Sequence, residues 1–408
     1  MRISSQQYFS MNVSTMNDQQ AQLSQIYQEI SSGVALSTPA DNPLGAAQAV
    51  QLSSTATALS QYTTNQNAAL SSLQAESSTL GSVLTTLQSA NTLALSVGSG
   101  VLNDTNRTAI ATQLTSLRDQ LLTYANATDS SGNSLFSGFQ NTTQAFTTNS
   151  SGAIVYSGDT GTRTVQVTGS NAVATGDNGA SVFMSVSSSN AEPIASGNSN
   201  NTGTGVIGSV TVNDPTNAAN ADSYQIQFSG SGSTLSYTVT DTTTGVAGTA
   251  QPYTAGADIT MGGQTVSISG TPVAPDTFTV QPANQGSTDV FANLNAMIAA
   301  LQNPVTGNPA AQATLQNAMN TGLSQLANTL NNVTAVQASV GGRAQEVTAL
   351  QTVTQTNTLQ TQSNLADLTS VDMVSTISKY TMQQAALQAS QQAFVQIQNM
   401  SLFQYINN

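Results

Sequence analysis

The chain lacks the residue types that most catalytic and metal sites require. Its 408 residues include no His and no Cys, which removes the commonest general base, the thiol nucleophile and the preferred zinc ligands. Hydrolases built on Ser-His-Asp or on His-Glu-x-x-His are therefore excluded. The sequence also has no D-x-D-x-D-G loop of the kind that binds calcium. We expect a protein that is not an enzyme, with no catalytic residue, no metal site and no cofactor.

One segment has the glycine spacing of a dinucleotide-binding loop. Gly203, Gly205 and Gly208 fit the pattern G-x-G-x-x-G. That pattern binds a pyrophosphate only where a strand precedes it and a helix follows it. Here a polar stretch precedes the glycines and the strand-like residues 209–212 follow them, so we predict a loop and not a nucleotide site.

Charged residues are scarce and mostly acidic. They make up 6% of the chain, against about 25% in an average globular protein. The 6 basic and 19 acidic residues give a net charge of -13. Contacts to phosphate need a basic surface, so we expect neither nucleic acid nor a membrane as a partner. The first residues lack the apolar core of a secretory signal, so any export is expected to proceed without a cleaved signal peptide.

Large apolar residues repeat every seven positions at both ends of the chain. Helices with this repeat bind partner helices. The series near the start is Phe9, Met16, Leu23 and Ile30, with Ile26 beside it, and the series near the end is Met373, Tyr380, Leu387 and Phe394, with Ile377 beside it.

Two further heptad series lie inside these ends and predict a pair of long helices. Asn42 is the expected N-cap of the first long helix, and Pro43 is its expected first residue. A shorter helix is predicted to follow it, with Asp104 as the expected cap. The later series continues across Gly341 and Gly342, which predicts a bend and not a stop. The two series are Leu52, Leu59, Leu73, Leu80 and Leu87, interrupted only by Gln66, and Met319, Leu326, Val333, Val340 and Val347.

The middle of the chain has a different period. From residue 130 to about 286, apolar and polar residues alternate between Gly, Asn, Asp and Pro, as at Tyr224, Ile226 and Phe228. This alternation predicts half-buried antiparallel strands. A polar stretch from Ser187 to Gly205 is expected to separate two β units.

The terminal series supply little stability of their own. Each heptad offers one or two large apolar side chains, and their burial does not offset the entropy of ordering seven residues. Ser, Thr, Asn and Gln add little helix propensity or ion-pair support. Our hypothesis is that both ends are disordered in the free chain and fold on neighbouring subunits.

Several segments together resemble the flagellar hook-associated protein 3 family within the flagellin superfamily. One residue departs from the family pattern: Val34 follows the glycine at a position where the family usually has Lys or Arg. The segments are Met1–Ser4, Ile30–Gly33, Pro39–Pro43, Asp129–Phe139, Thr175–Phe183, Ser339–Arg343, Met382–Ser390 and Met400–Phe403. The region from about 204 to 282 resembles an extra β module of some hook-associated proteins.

The expected fold class is α+β: a long coiled-coil-like helical rod formed by the N- and C-terminal segments, with inserted outer antiparallel β domains. We predict terminal assembly helices at 1–44 with 365–408 and a rod domain at 45–136 with 287–364. The first β unit is then 137–186 and the second β unit is 187–286.

The resemblance implies a structural subunit at the junction between hook and filament. It also implies an extracellular location in the flagellum, export through the flagellar type III apparatus, and as partners a ring of further copies, hook-associated protein 1, flagellin and an export chaperone. The expected assembly interface combines the terminal series with residues of the end motifs: Ile3, Phe9, Met16, Leu23, Ile26, Ile30, Met373, Ile377, Tyr380, Leu387, Phe394, Met400, Leu402 and Phe403.

Two alternatives remain at this stage. Filament flagellin belongs to the same superfamily and would differ in copy number. A secreted surface adhesin would use the β units to bind a host ligand, and the β region alone would then bind glycans or cells.

Overall fold

The computed structural model describes residues 5–36, 38–40, 42–98, 102–140, 144–187 and 191–406, and it describes their side chains except at 5, 6, 8 and 397–406. The helices are α1 (Ser5–Ser32), α2 (Pro43–Gly98), α3 (Asp104–Ala125), α4 (Gly179–Phe183), α5 (Val290–Gln302), α6 (Pro309–Thr369) and α7 (Met373–Ile406). Long helices from both ends of the chain with inserted antiparallel sheets confirm the predicted fold class.

The strands fall in the predicted middle of the chain. The first β unit contains β1 (Phe146–Thr148), β2 (Ile154–Tyr156), β3 (Thr164–Gln166) and β4 (Ala172–Ala174). The second β unit contains β5 (Ile194–Gly197), β6 (Val206–Ile207), β7 (Thr211–Val212), β8 (Tyr224–Ser229), β9 (Ser236–Asp241), β10 (Val246–Ala247), β11 (Gln251–Pro252), β12 (Asp258–Met261), β13 (Gln264–Ser269) and β14 (Thr277–Gln281). Short 3₁₀ helices span Ala218–Ala221 and Gly232–Thr234.

The chain forms two compact units. The terminal unit is Met1–Thr64 with Gln351–Asn408, and the central unit is Asn65–Leu350. Both boundaries fall inside the long helices α2 and α6. The finer four-domain division predicted from the sequence stays a prediction.

The helix starts show which of the predicted caps are used. Asn42 accepts the backbone N–H of Gly45 at 2.9 Å, so α2 begins at Pro43 as predicted. The cap of α3 was predicted wrongly, because Asn103 and not Asp104 accepts the N–H of Asn106, at 2.8 Å. Asp104 instead forms an ion pair with Arg107 one turn later.

The inner heptad series form the helical core of the central unit. Leu73, Leu80 and Leu87 of α2 lie in one buried cluster with the predicted series of α6. Helix α6 continues across Gly341 and Gly342 without a break, because the flanking heptads are buried on both sides of the glycines. Gln66, which interrupts the leucine series, is buried and donates from Nε2 to the carbonyl of Val167 at 2.8 Å.

The first β unit consists of two antiparallel hairpins, β1 with β2 and β3 with β4. Four fully buried phenylalanines join it to the helical core: Phe136, Phe146, Phe183 and Phe291. The ring centroid of Phe146 lies 5.4 Å from that of Phe183 and 5.2 Å from that of Phe291. Aromatic packing therefore connects β1, α4 and α5.

The second β unit holds a separate buried cluster between two antiparallel sheets. One sheet has the order β10-β9-β8-β14-β5 with β11 also paired to β9, and the other has the order β12-β13-β6 with β7 also paired to β13. Tyr224, Ile226 and Phe228 point into this cluster, as their alternation predicted. Strand β5 lies within the stretch expected to be a polar separator. The sequence analysis did not predict this strand, which pairs along β14 through its backbone.

The glycine-rich segment at 203–208 leads into a strand. The N–H of Gly203 donates to Asp276 Oδ2 at 3.0 Å, and β6 begins at Val206. Strand β7 at Thr211–Val212 follows where a dinucleotide-binding motif has a helix, as the strand-like residues after the glycines predicted.

Asparagine side chains of α6 bind the backbone of both β units. Asn317 accepts the N–H of Ile207 at 2.9 Å and donates to the carbonyl of Gly205 at 3.0 Å. Asn328 makes both bonds to the backbone of Glu192, and Asn332 donates to the last carbonyls of α4. Helix α6 thus supplies the hydrogen bonds that a neighbouring strand supplies elsewhere.

Candidate assembly interface

Helices α1 and α7 lie side by side and run antiparallel. Near one end, the ring centroids of Phe9 and Phe394 are 5.1 Å apart. Near the other end, those of Tyr27 and Tyr380 are 6.4 Å apart. Between them, Gln383 Nε2 donates to Gln22 Oε1 at 2.8 Å. The two terminal heptad series therefore meet within one chain.

A short backbone bridge fixes one end of this helix pair. Gly33 has φ +71°, a conformation that favours glycine, and it ends α1. Directly after it, the N–H of Ala35 donates to the carbonyl of Thr369 at 2.8 Å, and the N–H of Val371 donates to the carbonyl of Gly33 at 3.1 Å. Asp372 then caps α7 through the N–H of Val374. The bridge sets the relative register of α1 and α7.

The predicted interface residues are covered to different degrees. Leu387 is buried, with 8% of its surface exposed, and Phe9, Met373 and Ile377 are exposed. The remaining described members are half-buried: Met16, Leu23, Ile26, Ile30, Tyr380 and Phe394. Ile3 lies outside the described residues, as do the side chains of Met400, Leu402 and Phe403.

A second set of apolar side chains, which the sequence analysis missed, points away from the pair. We call it the outer set: Met11, Val374, Met382 and Val395. Val374 exposes 82% of its surface and Met382 exposes 63%. The signal was present in the sequence, because each member lies one or two positions after a member of a heptad series. Those positions face solvent in an isolated helix pair, so an apolar residue there indicates further contacts.

The helix pair is nearly free of charge. Helix α1 carries Asp18 and Glu29, and α7 carries Lys379 as its single charged residue. Few charges are therefore available on these two helices for long-range electrostatic steering of a partner. Among the described residues, no group of three acidic side chains is placed to hold a metal ion. None of the described helices has the length and apolar character needed to cross a membrane.

Comparison with known proteins finds relatives along the whole chain. Residues 3–141 match the bacterial flagellin N-terminal helical region. Residues 196–282 match a D2-like domain of flagellar hook-associated protein 1. The curated flagellar hook-associated protein 3 of Salmonella typhimurium is 28% identical over 404 residues, which is 99% of each chain. Flagellar hook-associated protein 3 of Escherichia coli gives the same identity and coverage.

The resemblance to flagellar hook-associated protein 3 is confirmed.

Solved hook-associated protein 3 structures share the fold. The structure from Legionella pneumophila superposes with a TM-score of 0.70 at 28% identity, over 78% of this chain and 98% of that one. FlgL of Xanthomonas campestris gives a TM-score of 0.68 at 26% identity, over 76% and 98%. The second match to a hook-associated protein module, at residues 196–282, agrees with the resemblance noted for the second β unit. All of these relatives are named as flagellar components.

Proposed function

We propose that this chain is a structural subunit of the bacterial flagellum that joins the hook to the filament. The observation that carries the proposal is the similarity to hook-associated protein 3 over 404 residues, which includes both terminal helices. A flagellar junction protein from Legionella pneumophila is also similar, with a TM-score of 0.67 at 26% identity. In this proposal, the partners of the present chain are further copies of itself, hook-associated protein 1 and flagellin, and the chain acts outside the cell.

The outer set is the surface through which neighbouring subunits bind in this proposal. The heptad series of α1 and α7 face each other, and the outer set, together with the exposed Phe9, Met373 and Ile377, is apolar surface that the described helix pair leaves open to further contacts. Because α1 and α7 carry so few charges, a partner helix of similar composition packs on them without ion pairing. The half-buried residues Met16, Leu23 and Phe394 contribute at the edges of that surface.

Charge insertion tests this surface directly. Met382 is 63% exposed, so Met382→Glu leaves the free chain intact while placing a charge in the proposed contact. We expect incorporation into the flagellum to be lost. The matched control is Gln384→Glu, which adds the same charge at an exposed polar position on α7. Equal incorporation of both variants would contradict the proposed contact surface.

Assembly is coupled to folding of the terminal helices in our proposal. In the terminal unit, Leu387 is the single fully buried apolar side chain among the described residues, so the α1 and α7 pair has little burial of its own to offset chain entropy. Amide hydrogen exchange on the isolated chain is expected to be fast in both helices and slow after assembly. Slow exchange at 5–32 and 373–396 in dilute monomer would rule coupled folding out.

Export precedes this assembly step. A chain whose ends are unfolded is compatible with passage through the flagellar export apparatus, with a chaperone holding the C-terminal helix until release. Co-purification tests that partner. We expect the chaperone to purify with the full chain and not with a chain that lacks α7.

A deletion strain tests the junction function. Without the gene, we expect hooks to form, flagellin to appear in the medium and filaments to be absent. The wild-type gene restores filaments, and Gln384→Glu restores them equally. Normal filaments in the deletion strain would overturn the proposal.

Filament flagellin is the second candidate, and the match of residues 3–141 to the flagellin N-terminal region favours it. Copy number separates the two functions. A junction subunit occurs as a small fixed number per flagellum, whereas a flagellin forms the bulk of the filament. Quantitative mass spectrometry of sheared flagella measures this ratio.

A further inference from the structure

Three charged side chains meet where the first β unit contacts the long helices. Glu76 lies on α2, Asp177 lies in the loop between β4 and α4, and Arg343 lies on α6. Glu76 Oε1 accepts the backbone N–H of Asp177 at 3.0 Å. Arg343 forms an ion pair with the Asp177 carboxylate and donates from Nη1 to the carbonyl of Ala174 at 3.2 Å. One loop is therefore bound to two helices through these groups.

The charges at this point do not balance. Two carboxyl groups face one guanidinium, and Glu76 is 99% buried, with 1% of its surface exposed. Glu76 Oε2 is buried and has no hydrogen-bond partner. The other nearby cation, Arg163, donates to the carbonyl of Ser134 at 3.0 Å. Two carboxylates would share the single charge of Arg343, so a second negative charge in this buried position would be only partly compensated.

We propose that Glu76 keeps its proton beside the Asp177 carboxylate and, with Asp177 and Arg343, forms a proton-dependent clamp that holds residues 174–178 against α2 and α6.

The electrostatics of the site agree with this geometry. Burial first, and then the negative charge of Asp177, raise the pKa of Glu76 from 4.5 to about 8. A raised pKa means that the folded chain binds the proton more tightly than the unfolded chain does. The contribution of Glu76 to the stability of the folded chain is complete below pH 4.5 and is lost as the pH rises towards 8. Across that window the folding equilibrium constant falls up to about tenfold per pH unit.

Selective carbon-13 labelling of glutamate carboxyls measures the proton directly. The chain has four glutamates, Glu29, Glu76, Glu192 and Glu346, so four carboxyl resonances are expected in the full-length protein. The resonance that disappears in Glu76→Gln belongs to Glu76, and we expect its titration midpoint near pH 8. The control is Glu346→Gln, an exposed position on α6, which removes a different resonance. A Glu76 midpoint near 4.5 would overturn the proposal.

Two further measurements connect the proton to the clamp. Hydrogen exchange at Asp177 and Thr175, corrected for the intrinsic pH dependence of exchange, is expected to accelerate through the same pH range as the Glu76 titration. Constant protection there would contradict the clamp even with a high midpoint. If Glu76→Gln does not fold, Asp177→Asn serves instead. It removes the repelling charge, so the Glu76 midpoint is expected to move down, and an unchanged midpoint would refute the role of Asp177 in holding the proton.

Discussion

The terminal and central units use the same seven-residue repeat with different results. In the central unit, the heptad residues of α2 and α6 are almost completely buried: Leu73, Leu80, Leu326, Val333, Val340 and Val347 all expose 0% of their surface. In the terminal unit, the corresponding residues of α1 and α7 are half-buried or exposed, apart from Leu387. The sequence pattern alone does not distinguish these outcomes.

The difference lies in the number of layers that cover each helix pair. Helices α3 and α5 and the first β unit pack on α2 and α6 in the central unit, and their residues belong to the same buried cluster. Helices α1 and α7 pack mainly on each other. A two-helix contact buries one stripe of each helix, so it leaves the flanking apolar positions exposed. Further protomers are the missing layers in our proposal.

The largest expected effect is in the aromatic cluster of the central unit. Phe183 is fully buried among Phe136, Phe146 and Phe291. Phe183→Ala removes these contacts and leaves a cavity, so we expect the free energy of unfolding to fall by about 3–5 kcal/mol. Urea denaturation of the full chain measures it. Phe139→Ala, at an exposed phenylalanine, is the control and costs less than about 1 kcal/mol; similar costs for both would mean that the cluster is not a core.

The asparagine contacts of α6 give the next effect. Asn317→Ala leaves the buried backbone groups of Ile207 and Gly205 without their partner, which costs about 1–3 kcal/mol. We expect the denaturation midpoint to fall and amide hydrogen exchange at Ile207 to become faster. Gln316→Ala changes the exposed neighbour and leaves both unchanged. No difference between the two variants would show that the second β unit is held by apolar packing alone.

The sequence predicted the elements that depend on periodicity. The heptads of α2 and α6, the start of α2 at Pro43 and the alternation in β8 follow from local residue patterns, and the structure confirms each of them. Strand β5 was missed because its short sequence, Ile194–Gly197, carries only two apolar residues. Its pairing with β14 and a hydrogen bond from Thr321 to the carbonyl of Ala195, at 2.8 Å, are long-range interactions.

The candidate interface was predictable in part for a similar reason. Periodicity identified the stripes along which α1 and α7 meet, since a stripe is a local property of each helix. It did not show that the stripes cover each other within one chain, nor that the outer set stays exposed. The sequence likewise did not single out Asn317, Asn328 and Asn332. Which polar residues are buried depends on the fold around them.

A smaller effect, of opposite sign, is expected at the glycine pair of α6. An added Cβ at Gly341 meets nothing within 4 Å, so Gly341→Ala stabilises the helix by about 0.5–1 kcal/mol. The thermal midpoint of the central unit rises accordingly. The contrasting variant is Gly322→Ala, where the Cβ would lie 2.5 Å from Met297 Cγ and overpacking destabilises. Destabilisation by Gly341→Ala would show that the pair serves a bend and is under conformational constraint.

The smallest expected change in the stability of the isolated chain gives the sharpest comparison of the terminal and central units. Leu387→Ala and Leu80→Ala make the same chemical change at buried leucines of the terminal and central units. Leu80→Ala is expected to cost about 2–5 kcal/mol. If the terminal helices are unfolded in the free chain, Leu387→Ala changes neither folded contacts nor the denaturation curve, and its cost stays below about 0.5 kcal/mol.

The same variant then has a large effect on assembly, because Leu387 becomes buried only when α1 and α7 fold. We expect Leu387→Ala to reduce incorporation into flagella while the isolated chain keeps its wild-type denaturation curve. A cost near that of Leu80→Ala in dilute monomer would mean that the terminal pair is already folded. The outer set would then remain the candidate contact surface, but binding would join two preformed surfaces and would not include the entropy cost of ordering the ends.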